Sequence, residues 1–217
     1  MREFGKPIPM HGMSQSTQQG SLFGYRKYVF GVVSCESLVH KNVVEARDVD
    51  FTMVLRKGPH KRLDYYRSFI ALARATGDVK LAVIALEAEL TAAVRGSVDV
   101  CLIRPSLEDM RQLYQRSKCF VHLSEHEGFG VPLLEAMHFD VPVLAYDSTA
   151  VPDTLGTAGV LAARKDYPLI AEMAHLLITN RRLRDAVIRQ QGERVAHFRR
   201  AALAARFRAY LEELIAA

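Results

Sequence analysis

From Asp50 onward, short apolar runs alternate with longer amphipathic stretches. Phe51-Thr-Met-Val-Leu55, Val79-Lys-Leu-Ala-Val-Ile84, Val98-Asp-Val-Cys-Leu-Ile103, Cys119-Phe-Val-His-Leu123 and Val141-Pro-Val-Leu-Ala-Tyr146 have the length and residue types of buried strands. The stretch from Arg62 to Ala75 puts Leu63, Tyr66, Phe69, Ile70 and Ala73 on one side of a helix, with Gly77 as its stop. Glu87 to Arg95 predicts a second helix, closed by Gly96. Ser106 predicts an N-cap, with Asp109 in the capping-box position and a helix running to about Ser117. Another helix opens at Pro132, where a first turn loses no hydrogen bond to the missing N–H. Beyond residue 146 the pattern predicts a turn of helix near Pro152 and a brief strand at Gly159-Val-Leu161. Helices over 167–178, 181–191 and 194–215 complete it.

Strands alternating with helices through short loops predict an α/β fold, a Rossmann-like parallel sheet with helices on both faces. That domain occupies residues 50–217. Residues 1–49 read as an N-terminal arm or remnant: positions 1–22 are rich in Gly, Ser, Gln and Met without periodicity, and Tyr28–Val33 is strand-like. Sheets of this kind bind ligands at the carboxyl ends of their strands. The loops 56–61 and 124–131 both leave strand carboxyl ends, so they are expected to line one site although far apart in sequence.

The second of these loops is the most informative stretch of the chain: Ser124-Glu-His-Glu-Gly-Phe-Gly-Val-Pro-Leu-Leu-Glu-Ala-Met137. Gly128 and Gly130 stand between strand and helix, where glycine lets the backbone approach a ligand. The amides at a helix N-terminus attract anions, phosphate above all. Glu127 precedes the glycines and Glu135 lies inside the helix. Eight helical steps turn through about 800°, ~80° from face-on-face, so Glu135 can point up the side that Glu127 overhangs. Carboxylates accept hydrogen bonds from hydroxyls and repel phosphate. A phosphorylated sugar or ribose would therefore meet carboxylates at its hydroxyls and amides at its phosphate. In the first loop, Arg56 and Lys61 flank Gly58 and Pro59. A planar guanidinium and a mobile ammonium at one strand end suit a diphosphate.

The series Glu-Gly-Phe-Gly, four residues, Glu-Ala-Met, then Val141-Pro-Val-Leu-Ala-Tyr146 resembles the signature of the retaining GT-B glycosyltransferases called group 1 or family 4. The resemblance implies that Glu127 contacts the donor sugar and Glu135 the ribose of the nucleotide. It gives Arg56 and Lys61 the donor diphosphate, with the backbone of Gly128, Phe129, Gly130 and Val131 beside it. The implied activity is hexosyl transfer from a nucleotide sugar with retention, without a metal or other cofactor, the departing phosphate helping to deprotonate the acceptor. The chain departs from the family pattern at Leu55 and Asp140, both normally Gly, at Asp153, commonly Glu, and at Arg104-Pro105, near a usual Gly. A side chain at position 55 is expected to crowd the phosphate.

The resemblance begins at about Asp50 and covers the C-terminal, donor-binding half of a GT-B enzyme. The 49 preceding residues are few for an acceptor domain. The expectation is a chain lacking that half: a fragment, a subunit served by a separate acceptor-domain chain, or a relic. The alternative activity is then a non-catalytic nucleotide-sugar-binding module. A dinucleotide oxidoreductase is disfavoured, because Leu133 stands where the third Gly of GxGxxG belongs.

Other features change the picture less. Asp48-Val-Asp50 matches the DxD pattern that holds a metal–diphosphate in another glycosyltransferase class. It follows Glu-Ala-Arg rather than an apolar run, and no metal role is assigned to it. His122 and His126 flank the signature turn and read as hydrogen-bonded structural residues, His126 also within reach of a phosphate or sugar oxygen. Cys35, Cys101 and Cys119 form no CxxC pair, and the latter two read as buried thiols in a reduced compartment. Net charge is +5, and nine arginines between Arg181 and Arg208 crowd the C-terminal helices. Such a face can meet anionic lipid, but pairing with Asp185 and Glu193 makes a solvated face the preferred reading, and nucleic acid is not expected as a partner. No stretch has the length of a transmembrane span and no secretory signal is visible. The expected location is the cytoplasm, with weak contact at the inner membrane surface through the basic helices.

Overall fold

The computed structural model describes residues 46–216. The arm at 1–22, the strand-like run at 28–33 and Cys35 lie outside them. The strands are β1 (Val49–Leu55), β2 (Leu81–Ala85), β3 (Val100–Ile103), β4 (Ser117–His122), β5 (Val143–Tyr146) and β6 (Val160–Ala162). The helices are α1 (Leu63–Thr76), α2 (Ala88–Val94), α3 (Leu107–Arg116), α4 (Val131–His138), α5 (Val151–Leu155), α6 (Tyr167–Thr179), α7 (Arg181–Ala196) and α8 (Arg200–Ala216). Among the described residues, no helix is long and apolar enough to cross a membrane.

The strands form one sheet in the order β3-β2-β1-β4-β5-β6, each neighbouring pair parallel. The chain winds outward from β1 to β3, then returns to place β4 on the other side of β1. The switch point therefore lies between β1 and β4, where Phe51 pairs with Cys119 and Thr52 with Phe120. In such sheets the crevice above this point is where ligands bind.

Apolar residues cover both faces, as a parallel sheet requires. On one face Phe51, Met53, Leu55, Val83 and Val121 pack under α1 and α6 through Phe69, Ile70, Ile170 and Ala174. On the other, Ile84, Phe120, Val143 and Ala145 pack under α3, α4 and α5 through Leu113, Tyr114, Leu133, Met137 and Leu155. Gln191 of α7 is wholly buried, and its amide closes two hydrogen bonds to the entry of β5, accepting from Val143 N and donating to Val141 O, both at 2.9 Å. Buried polar groups are tolerated when satisfied in this way.

Local physics accounts for most element ends. The capping box of α3 is present, with Ser106 Oγ accepting from Asp109 N and the Asp109 carboxylate accepting from Ser106 N. Asp166 and Asn180 cap α6 and α7 one way, their side chains accepting from Leu169 N and Leu183 N. Three expectations need correction. The helix predicted over 181–191 continues through Gly192 to Ala196, since an isolated glycine costs a helix only about 1 kcal/mol. Gly77 ends α1 in extended backbone, φ 163°, not in a left-handed cap. Cys119 is buried but Cys101 is exposed, because β3 is an edge strand whose burial alternates.

The C-terminal arginines are also more structural than their count implies. Arg184 donates to Ile178 O at the end of α6, Arg194 to Thr154 O and Asp153 O at the end of α5, and Arg206 to His197 O at the end of α7. These cations complement helix carboxyl termini.

Candidate donor site at the sheet switch point

The two loops identified from sequence leave adjacent strands and are hydrogen-bonded together. Glu125 N donates to His60 O at 2.9 Å, and Lys61 Nζ donates to His126 O at 3.0 Å. The His60 and His126 rings lie 5.6 Å apart. The first loop contains one 3-10 turn, Pro59–Lys61, whose last residue carries the ammonium toward the second loop.

Lys61 Nζ is ion-paired with Glu127 Oε1. His122 Nε2 lies 3.2 Å from the same oxygen. Burial opposes charge on Glu127, but these two neighbours outweigh it and hold its carboxyl down at about 2. The Glu127 backbone is fixed by Thr149, whose hydroxyl accepts from Glu127 N at 2.8 Å and donates to Glu127 O at 3.0 Å. His122 is not the hydrogen-bonded structural histidine that the sequence predicts. It is 3 % exposed; Nδ1 has no partner, and Nε2 has only the Glu127 carboxylate, outside hydrogen-bond geometry. The ring stacks on Phe120, which sets the angle at which Nε2 meets the carboxylate.

Arg56, just past β1, is exposed and has no ion pair or hydrogen bond among the described residues. Its charge is felt by Glu135, on α4. Glu135 is buried and accepts a hydrogen bond from Tyr114 OH at 2.9 Å. Burial pushes its carboxyl up, against the Tyr114 bond and the Arg56 charge. Thus Lys61 and Glu127 meet directly, and Arg56 and Glu135 interact through charge. The two glutamates are held by different partners.

The glycine turn is built for its backbone. Gly130 is the N-cap of α4 at φ 84°, and a Cβ there would come within 2.7 Å of Leu133 Cδ1. Helix α4 starts one residue earlier than predicted, with Val131 at its first position and Pro132 at its second. Leu133 N is used by Gly130 O at 2.9 Å. Pro132 has no N–H, so Val131 supplies the first-turn amide with no intrahelical acceptor. The Phe129 side chain turns away from this end. It is buried edge-on against Phe198, and its carbonyl accepts from Thr154.

The departures from the sequence signature fit the backbone. Leu55 does not project toward the loops: it is 2 % exposed in the core under α1. This corrects the expectation of crowding, because strand alternation sends that side chain to the buried face. Asp140 and Arg104 adopt φ 55° and 47°, the left-handed backbone that glycine favours. Asp48 and Asp50 sit at the opposite, amino end of β1. There Asp48 pairs with Lys80 and Arg116, and Asp50 with Lys118.

Sequence reading missed the framework around the loops. Glu125 Oε1 accepts from Tyr65 OH at 2.6 Å and Arg62 Nη1 at 3.2 Å, and pairs with Lys165. Lys165 and then Tyr65 hold the Glu125 carboxyl down at about 2. Lys165 Nζ also lies over the Tyr65 and Tyr146 rings, at 4.3 and 4.8 Å. One side chain of the signature turn thus ties α1 to the loop after β6. Ser148 Oγ donates to Ser124 O at 2.7 Å from the loop after β5. The available signal was the polar run Asp147-Ser-Thr149 at a strand's carboxyl end.

Comparison with known proteins places the chain in a family. The model of the "Glycosyl transferases group 1" family matches residues 40–194. O-antigen chain mannosyltransferase B of Escherichia coli is 43% identical over 70 residues, which are 32% of this chain and 18% of that protein. The chain therefore matches under a fifth of that relative's length. Among solved structures, the pneumococcal O-GlcNAc transferase GtfA in complex with UDP and GlcNAc superimposes with a TM-score of 0.62 at 16% identity, over 81% of this chain and 38% of that one. The C-terminal domain of a glycosyl transferase group 1 family protein from Francisella tularensis superimposes with a TM-score of 0.55 at 22% identity, over 70% of this chain and 92% of that domain. At these identities the structures show a shared GT-B fold. With its six-stranded parallel sheet and its signature turn at the switch point, the chain belongs to the glycosyl transferases group 1 family.

Proposed function

We propose that this chain is the donor-binding part of a retaining glycosyltransferase of family 4, using a nucleotide-diphosphate sugar. The observation that carries the proposal is the union of the loops after β1 and β4. They present two cations and a charged carboxylate at the switch point, hydrogen-bonded to one another.

Arg56 and Lys61 take the diphosphate, and Val131 N–H with the α4 dipole adds a preorganised positive end. These groups neutralise the leaving charge, so the proposal assigns no task to a metal. Glu127 orients the sugar. Glu135 gives one oxygen to Tyr114 and the other to a ribose hydroxyl. The acceptor oxygen attacks the anomeric carbon, the bond to the diphosphate breaks, and its electron pair leaves on the diphosphate. The acceptor proton passes to a departing phosphate oxygen. The acceptor surface comes from a further domain or a separate chain. The mannosyltransferase relative makes a hexose, and mannose first, the sugar to test. The proposed setting is the cytoplasm, at the inner membrane surface.

Titration calorimetry with GDP-mannose and UDP-N-acetylglucosamine tests the assignment. The parent chain binds one of them. Lys61→Ala weakens it about tenfold to a hundredfold, with a smaller salt dependence. Glu135→Ala weakens it about tenfold. If both variants bind like the parent, the site assignment is wrong. Binding without turnover, even beside an acceptor-domain chain, would leave a non-catalytic binding module.

A further inference from the structure

The oxygen Glu127 Oε1 has two neighbours of different mobility. Lys61 reaches it from a 3-10 turn, with the side chain 26% exposed. His122 reaches it from β4, with the side chain 4% exposed and the ring stacked 6.2 Å from Phe120 at 20°. His122 pairs with Ala145 in the sheet register, so its backbone is fixed against β5. Its Nδ1 has no partner, and Nε2 has only this 3.2 Å approach to the Glu127 carboxylate, outside hydrogen-bond geometry. A buried imidazole left in that state calls for an explanation, because nearly all buried polar groups are satisfied.

We propose that His122 is a positioning residue for Glu127 once donor occupies the site. The proposal rests on the donor-site reading above. A diphosphate carries more charge than one carboxylate and offers several oxygens, so it draws the Lys61 ammonium away from Glu127. The carboxylate is then a mostly buried anion without its cation, its side chain 13% exposed. The imidazole, already 3.2 Å from Oε1, takes over as its donor and keeps the carboxylate aimed at the sugar. Lys61 thus exchanges partners, and His122 keeps Glu127 from following it. The free protein holds the pair closed; the loaded protein divides it between phosphate and sugar.

The proposal separates two ligands that a structural role would not separate. His122→Phe keeps a ring on Phe120 and removes both nitrogens. His122→Gln places an amide N–H near the position of Nε2. The measurements are calorimetric affinities for GDP against GDP-mannose, and UDP against UDP-N-acetylglucosamine, with the melting temperature of each variant. His122→Phe is expected to bind the nucleoside diphosphate within about twofold of the parent and the nucleotide sugar about tenfold more weakly. His122→Gln restores most of that loss. Parent-like affinity of His122→Phe for both ligands overturns the proposal, as does an equal loss for both that His122→Gln does not repair. If the parent binds none of the four ligands, the donor-site reading fails and takes this inference with it.

Discussion

The two ends of the sheet carry similar residues in different states. At the amino end Asp48, Asp50 and Asp99 are all matched by cations. Arg116 holds Asp48 with two bonds of 2.7 Å, Lys80 adds a third at 2.6 Å, and Lys118 pairs with Asp50 at 2.7 Å. At the carboxyl end the matching is incomplete. Arg56 has no ion pair or hydrogen bond among the described residues, Glu135 is buried with a phenol in place of a cation, and His122 Nδ1 is unused. Both ends carry acids and cations. What differs is whether their interactions are satisfied within the chain. Unsatisfied polarity lowers stability and persists at sites whose remaining partner is a ligand.

Removing one cation from each end is the strongest way to break this contrast. Arg56→Ala should leave the melting temperature nearly unchanged, because an exposed, unpaired side chain contributes within about 0.5 kcal/mol. It should lower nucleotide-sugar affinity about tenfold to a hundredfold, the worth of a charge-assisted bond to phosphate. Lys80→Ala should do the reverse, keeping affinity and losing at most about 1 kcal/mol of stability. Parallel thermal melts and calorimetry decide it. Equal effects of the two variants on binding would erase the distinction between the ends.

A smaller effect tests the backbone of the glycine turn. Gly130→Ala must hold φ 84° and bring a methyl within 2.7 Å of Leu133 Cδ1. The left-handed conformation costs a non-glycine residue about 1–2 kcal/mol, and Leu133 is buried without room to yield freely. Thermal denaturation should show that loss, with weaker nucleoside diphosphate binding because the Val131 amide shifts with the cap.

Glu135→Gln sharpens the contrast through pH. Burial raises the Glu135 carboxyl, so the folded chain holds that proton more tightly than the unfolded chain. Stability is then lost as pH rises from the ordinary Glu range, about 4.3, through the raised value. The amide carries no such charge. Glu135→Gln should therefore stabilise the chain at neutral pH by about 1 kcal/mol, or roughly 2–4 °C. The advantage should shrink as pH falls toward 4, while donor binding weakens at every pH. A variant more stable yet poorer in binding is the trade expected of a functional carboxylate.

This contrast also shows how far the sequence could be read. Apolar period located the strands and the helices packed on them, because burial on two faces imposes it: Phe51, Met53 and Leu55 face one core, Phe120 and Val143 the other. The last helix, without a buried residue, begins at Arg200 and not at 194. Adjacency of the loops followed from the rule that parallel strands present their carboxyl ends together. Pairing was not legible. Nothing in the order of residues says that Lys61 closes on Glu127, that Tyr114 reaches Glu135, or that Lys165 reaches Glu125. Those contacts depend on side-chain reach across loops, which has no period. His122 misled for a related reason. A histidine inside an apolar run has the same pattern whether its nitrogens are bonded or idle.

The smallest effect is expected where pairing is complete. Asp48→Asn removes three charge-assisted contacts at once, yet the Asp48 side chain is 42% exposed and its partners about as much. Water and salt screen such pairs, so the loss should be about 0.5 kcal/mol in spite of the favourable geometry. Arg116 and then Lys80 hold the Asp48 carboxyl well below the ordinary range. Its contribution is therefore present above about pH 3.9 and is lost as pH falls below it. Parent and Asp48→Asn melts should differ slightly at neutral pH and low salt, then converge with added salt or at acidic pH. Donor affinity should stay at the parent's value throughout. A binding defect in Asp48→Asn would mean that the amino end reaches the site through the full length of β1, and the separation of the two ends would have to be abandoned.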